Sequence, residues 1–71
     1  MKCYVVRNEC GEYCCGGYGK VKYRFSKKDL RNLKTYLRED SAQGLINDNY
    51  SWTRQGVDTT RLEAIAVYIE L

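Results

Sequence analysis

The chain contains no histidine and no proline among its 71 residues. Without histidine it lacks the most common general base and the most common neutral metal ligand. Its cysteines therefore have no imidazole to activate them, and no pair of acids recurs at a helical or strand spacing. We expect a protein that is not an enzyme and that holds no metal and no other cofactor.

Long apolar runs are also lacking. No segment reaches the apolar length of a membrane span, and the stretch after Met1 is charged too soon for a secretory signal. We expect a single domain over residues 1–71 that lies in the cytoplasm and binds no membrane. A chain of this size has a stability of about 4–10 kcal/mol. Small domains often gain support from association, and we expect a homodimer.

Four cysteines are present, but their spacing is not that of a metal site. A tetrahedral thiolate site favours paired Cys-x-x-Cys ligands, whereas Cys14 and Cys15 are adjacent and point to opposite faces of a strand. We therefore interpret the cysteines as reduced residues used mainly for packing, with zinc or a disulfide as the weaker alternatives. The four are Cys3, Cys10, Cys14 and Cys15.

Apolar periodicity predicts an α+β domain. Strands are predicted at 2–8, 13–15, 21–25, 50–57 and 61–71, and helices at 27–36 and 41–48. Leu30, Leu33 and Leu37 form the apolar stripe of the first helix. A turn at 8–12 uses the freedom of Gly11 to take positive φ. The result is a small antiparallel sheet of about four to five strands, in the order ββ(β)ααββ, with two short helices on one face.

The most distinctive feature is a basic segment at 20–38. It holds eight bases against one acid, Asp29, so its formal charge is +7, while four bases and eight acids leave −4 elsewhere. An uneven distribution of charge of this kind indicates what a protein binds, but says nothing about its fold. One interpretation is a solvated helix face, and the other is a docking surface for an anionic partner. The residues predicted to bind such a partner are Lys20, Lys22, Arg24, Lys27, Lys28, Arg31 and Lys34.

A glycine-rich stretch, Gly16-Gly17-Tyr18-Gly19, precedes Lys20. It matches neither the P-loop nor the dinucleotide-binding pattern. The favoured interpretation is a bulge that bends the hairpin. The alternative is a loop whose backbone N–H groups cradle an anion.

Aromatic residues close to bases suggest base stacking. Tyr50, Trp52 and Arg54 would share one face of the strand predicted at 50–57. We expect Trp52 to face the core or a dimer partner, which leaves the others open for contact. The candidate stacking residues are Tyr18, Tyr50 and Arg54.

Part of the chain resembles small phage and prophage proteins of Gram-positive bacteria. The matching positions are Tyr4-Val5-Val6, Asn8, Gly11, Tyr13, Asp29-Leu30, Leu33, Lys34, Tyr36, Ser41-Ala42 and Ile46. In the family outline, alanine stands where this chain has Leu33. The resemblance covers about two-thirds of the chain and supplies no catalytic signature. It implies an accessory gene product, similar to anti-CRISPR and other anti-defence proteins, which are short, often dimeric and non-catalytic.

Three functions follow as expectations. The first is a phage-encoded, non-catalytic inhibitor of bacterial immunity in the cytoplasm of the infected host, which binds a host defence protein or its small nucleotide signal. The second is a nucleic-acid-binding accessory or regulatory module. The third is a structural or assembly protein that acts through dimerisation of its C-terminal strand.

Overall fold

The computed structural model describes residues 1–17, 22–28 and 31–68. These residues form an antiparallel four-stranded sheet and two short α-helices, which confirms the predicted α+β class. The strands are β1 (Lys2–Arg7), β2 (Tyr13–Gly16), β3 (Tyr23–Ser26) and β4 (Glu63–Tyr68), and the helices are α1 (Glu39–Ile46) and α2 (Asn49–Arg54). A short 3-10 turn at Thr59–Arg61 precedes β4, and the strand order is β3-β2-β1-β4.

The turn between β1 and β2 forms where the sequence predicts it. Gly11 takes a φ of +79°, which a residue with a side chain rarely adopts. The Asn8 side-chain oxygen accepts hydrogen bonds from the backbone N–H groups of Cys10 and Glu12, at 3.1 and 2.9 Å. Asparagine at the start and glycine near the end therefore fix this turn locally.

The buried cluster that contains Trp52 lies between one face of the sheet and both helices. Cys3, Val5 and Cys15, on the other face, are also buried. Paired residues of antiparallel strands point to the same face, so the register of β1 with β4 separates two sets of side chains. The helices cover the set that contains Val6, which confirms that both lie on one face. The buried cluster there consists of Val6, Cys14, Tyr23, Ala42, Leu45, Ile46 and Trp52.

The helix predicted at 27–36 is wrong over the described residues of that range, which exclude 29–30. Residues 31–36 are extended or turned, and Leu33 and Tyr36 bridge to Cys15 and Tyr4. The leucine stripe that suggested a helix does not form a buried face, since the Leu37 side chain is 74% exposed. Backbone pairing with the sheet outweighs the helical periodicity at this position.

Residues 32–36 fill the opening of the β1–β2 hairpin, and we call them the wedge segment. The Gly16 N–H donates to the Asn32 carbonyl at 2.9 Å, and the Lys34 N–H donates to the Cys14 carbonyl at 3.1 Å. Tyr36 exchanges two hydrogen bonds with β1, at 2.7 and 2.9 Å. Because β1 and β2 use their other edges for β4 and β3, the wedge segment lies between them.

The strand predicted at 50–57 is also wrong, because residues 49–54 form α2. The Trp52 indole N–H donates to the Leu45 carbonyl at 2.9 Å, and its ring stacks on Tyr23 at 4.6 Å between centroids. The helix ends before Gly56, which takes a φ of +73°. The helix predicted at 41–48 does form, shifted two residues toward the N-terminus as α1.

Of the four cysteine thiols, all reduced, three are buried and only Cys10 is exposed. The described part of the chain contains no helix that is long and apolar enough to cross a membrane.

Candidate anion-binding site

Of the seven described bases of the 20–38 segment, four lie on chain segments that meet at Gly16 and Gly17, where β3 begins. Two follow the other end of β3, and Arg38 lies apart from both groups. Tyr18 and Lys20, both predicted site residues, lie outside the described residues. We call the first group, together with the two glycines, the glycine corner. Its members are Gly16, Gly17, Lys22, Arg24, Arg31 and Lys34.

Two hydrogen bonds and one close approach define the glycine corner. The Gly17 N–H donates to the Lys22 carbonyl at 3.0 Å. The Arg24 Nε–H donates to the Gly16 carbonyl at 3.0 Å. The Lys34 Cε lies 3.9 Å from the position that a Cβ on Gly16 would occupy. Bases from β3 and from the wedge segment therefore meet at the end of β2.

Arg31 enters the corner through the wedge segment. It precedes Asn32, whose carbonyl accepts the hydrogen bond from Gly16, and its side chain is exposed. The N–H groups of Gly16 and Gly17 are both bonded within the fold. These two glycines therefore offer no backbone cradle, and an anion here would be bound by side chains.

A carboxylate of the described residues, that of Asp48, reaches the corner. Asp48, just before α2, accepts a hydrogen bond from the Lys22 ammonium at 3.0 Å, and Lys22 also donates to the Ser51 hydroxyl at 3.3 Å. The hydrogen bond with Asp48 raises the pKa of Lys22, and the same bond lowers the pKa of Asp48. The Asp48 carboxylate therefore balances most of the positive charge of the Lys22 ammonium.

Arg31 and Lys34 differ from Lys22 in this respect. Both are exposed, and within residues 1–17, 22–28 and 31–68 no carboxylate lies within ion-pair distance of either. An arginine can bond two phosphate oxygens at once, and a lysine adds a mobile point charge. The glycine corner therefore keeps a positive charge that the described fold does not balance.

Lys27 and Lys28 form the second basic group. Both are exposed, and neither has an ion-pair partner among the carboxylates the structure describes. A strand rises about 3.3 Å per residue, so Lys27 stands about 17 Å from Lys22 along the direction of β3. Arg38, the last base of the segment, is paired with Asp40 at 2.9 Å.

Tyr50 and Arg54 come together on the solvent side of α2. The guanidinium carbon of Arg54 lies 5.6 Å from the Tyr50 ring centroid, and Arg54 donates to the Tyr50 hydroxyl at 3.4 Å. The two residues are neighbours because a helix brings positions i and i+4 to one side. Ser51, which follows Tyr50, contacts Lys22, so α2 connects the aromatic pair to the glycine corner.

Sequence reasoning missed a pocket of about 410 Å³ near the β1–β2 turn, lined in part by Phe25, Val57 and Arg61. Arg61 donates to Glu9 at 2.7 Å and lies 3.6 Å from Asp58. The hydrogen bond with Glu9 raises the pKa of Arg61. Because two carboxylates already balance this arginine, the pocket is a weaker anion site than the glycine corner. Its residues come from segments far apart in sequence, so no local pattern indicated it.

Comparison with family models, with curated proteins and with solved structures finds no match for this chain. The glycine corner presents the exposed cations of Arg31 and Lys34, and α2 presents the exposed ring of Tyr50 with Arg54 beside it. Groups of these two kinds contact the phosphates and the bases of nucleotides.

Proposed function

We propose that this protein is a phage-encoded, non-catalytic inhibitor of bacterial immunity that captures an anionic nucleotide signal by stoichiometric binding. The observation that supports it most is the unbalanced charge of Arg31 and Lys34 at the glycine corner, beside Arg24. Charge-assisted hydrogen bonds to phosphate are each worth about 1.5–3 kcal/mol. The phage setting is supported by the resemblance of the N-terminal two-thirds of the sequence to small phage proteins.

The aromatic pair on α2 favours a nucleotide over a simple inorganic anion. Tyr50 is exposed and flanked by Arg54, and its neighbour Ser51 bonds Lys22. Stacking of a base on an aromatic ring is worth about 1–3 kcal/mol. A nucleotide with its phosphates at the corner and its base on Tyr50 would use both features.

Binding without chemistry is supported by the state of the buried thiols. Burial raises the pKa of Cys14 to about 12, with Cys15 adding to the effect and Lys34 opposing it. A thiol with such a pKa is almost wholly protonated at neutral pH and is a poor nucleophile. The poor reactivity of the Cys14 thiol therefore favours a packing role for this residue and supports capture over catalysis.

Two double variants test the proposal. Arg31→Ala with Lys34→Ala removes two charges from the glycine corner, and Lys27→Ala with Lys28→Ala removes the same charge from the far end of β3. Thermal-shift and calorimetric titrations with ATP, GTP and a cyclic dinucleotide would first find the probe that binds. We expect the corner variant to lose at least about tenfold in affinity, equivalent to about 1.4 kcal/mol, and the control to lose much less.

The same titrations separate the second candidate function. Lys27 lies about 10 Å along β3 from Arg24, a member of the corner, and Lys27 and Lys28 are also unbalanced, an arrangement that suits a longer polyanion. A nucleic-acid-binding module would bind an oligodeoxythymidine strand, with affinity that falls steeply with salt. Equal losses in the two double variants would favour that function. Absence of binding to every nucleotide probe, with the protein folded, would reject nucleotide capture.

A further inference from the structure

The outer edge of β4 carries backbone groups that the described fold leaves unbonded. Both the N–H and the C=O of Tyr4 bond to Tyr36, on the side of β1 away from β4. Bonded and non-bonded pairs alternate along an antiparallel ladder, so Tyr4 and Ala66 form a non-bonded pair. The backbone groups of Ala66 therefore point outward, and those of Ala64 and Tyr68 follow by alternation.

The opposite edge of the sheet is covered at Tyr23 of β3. The Gln55 side chain accepts a hydrogen bond from the Tyr23 N–H at 3.1 Å and donates to the Tyr23 carbonyl at 2.7 Å. This amide occupies the edge of β3 as another strand would. Among residues 63–68 no hydrogen bond covers the outward groups of β4 in the described structure. An open edge of this kind is a template for another strand.

We propose that β4 pairs in antiparallel fashion with β4 of a second copy, across a two-fold axis at Ala66. In this register Ala66 opposes its own equivalent, Ala64 opposes the partner's Tyr68, and Ile65 opposes the partner's Val67. Outward-facing backbone groups then meet outward-facing groups, as the ladder requires. The two sheets join into one continuous sheet.

The side chains of β4 suit a second copy. The only charged residue of the strand is Glu63, which is paired with Arg7 and lies far from its equivalent in this register. No like charges therefore face each other across the pair. The Tyr68 side chain, 79% exposed, would lie over the small Ala64 of the partner. Ile65 and Val67, both half-buried, would extend each other's apolar face.

The dimer should be modest in strength. A single pair of six-residue strands buries less than the roughly 1,200 Å² that stable interfaces usually bury. We therefore expect association that reverses on dilution. The glycine corner lies on β2, β3 and the wedge segment, so nucleotide capture and β4 pairing are independent of each other and fail separately.

The test uses a proline that removes an outward donor. Ala66→Pro deletes the outward N–H but leaves the β1 bonds, which involve Ile65 and Val67, and proline is tolerated at such edge positions. Ala66→Thr keeps the N–H and serves as the matched control. In sedimentation velocity over a range of concentrations, we expect the native chain and Ala66→Thr to rise from 8.3 kDa toward twice that mass. We expect Ala66→Pro to stay at 8.3 kDa with an unchanged circular dichroism spectrum.

If Ala66→Pro unfolds, amide hydrogen exchange of the native chain tests whether β4 pairs with β4 of a second copy. The amides of Ala64, Ala66 and Tyr68 should become more protected as concentration rises, while the Ile65 amide, bonded to β1, stays constant. A monomer at every concentration would overturn the proposal. So would a dimer in which exchange at Ala66 does not depend on concentration.

Discussion

Trp52 and Tyr50 lie two residues apart on α2, yet the Trp52 side chain is fully buried and the Tyr50 side chain is 73% exposed. A helix turns about 100° per residue, so the two side chains point in nearly opposite directions. The Trp52 ring lies 4.6 Å from the Tyr23 ring and 5.6 Å from the Phe25 ring. This one side chain attaches α2 to β3.

Truncation of Trp52 should therefore nearly unfold the protein. Replacing a buried large aromatic residue by alanine costs about 3–5 kcal/mol, a large part of the stability of a 71-residue domain. Tyr50→Ala is the matched control, and we expect it to cost no more than about 0.5 kcal/mol because the residue is exposed. Urea unfolding followed by far-UV circular dichroism measures both. Similar losses in the two variants would contradict the helical placement of α2.

The sequence predicted the sheet better than the helices. Alternation marked β1 and β4 because apolar residues recur at every second position, and these are buried at Cys3 and Val5 and half-buried at Ile65 and Val67. The same alternation of Tyr50, Trp52 and Arg54 suggested a strand, since a helix of six residues is too short to show its own period. The leucines at 30, 33 and 37 misled in the opposite way. Over the described residues 31–36, the backbone groups that β1 and β2 leave to be bonded outweigh this helical spacing.

The candidate site was predictable in composition but not in arrangement. The charge of the 20–38 segment is visible in sequence, and so is the choice of Arg31 and Lys34 as members. Arg31 and Lys34 are separated from Lys27 and Lys28 because the wedge segment runs back along the sheet to the end of β2. This arrangement depends on contacts between segments distant in sequence, so no local sequence pattern indicates it. The pairing of Lys22 with Asp48, across 26 positions, is hidden for the same reason.

The wedge segment should be recognisable by amide hydrogen exchange. The N–H groups of Lys34 and Tyr36 donate to Cys14 and Tyr4, so we expect both to exchange slowly. Thr35, between them, is exposed and its N–H makes no hydrogen bond in the described structure, so it should exchange fast. Exchange followed by two-dimensional NMR measures the three amides together. Uniform protection of all three would indicate a helix and contradict the wedge.

Thiol labelling should distinguish one cysteine from the other three. Cys10 is exposed, whereas Cys3, Cys14 and Cys15 are buried. Burial also raises the pKa of Cys14 to about 12, so its reactive thiolate is scarce at pH values where the protein is labelled. We expect iodoacetamide to modify Cys10 alone in the folded protein and all four cysteines in urea. Peptide mass spectrometry assigns the sites, and labelling of Cys14 without denaturant would show that the core opens readily.

The loss of stability at low pH should depend on Asp48. Hydrogen bonds from Lys22 and Ser51 lower the pKa of this carboxyl in the folded protein below its ordinary value of 3.8. A lowered pKa means that its contribution to stability is complete above the unfolded value and is lost as pH falls through the folded value. We therefore expect the melting temperature of the native chain to fall below about pH 4.

Asp48→Asn tests that expectation, and Asp40→Asn is its control because it removes the same charge from α1. The Asp48→Asn curve should be flatter between pH 2 and pH 4 than that of the native chain, with a residual slope. Part of that slope comes from Asp58, whose pKa is lowered by hydrogen bonds from Thr60. In the described part of the chain, Asp40 bonds Arg38 and does not contact Lys22 or Ser51, so its variant should keep the part of the slope that Asp48 contributes. Scanning calorimetry across this pH range measures the melting temperatures of both variants. An equal change in both variants would mean that net charge, and not the Lys22 contact, controls the loss of stability at low pH.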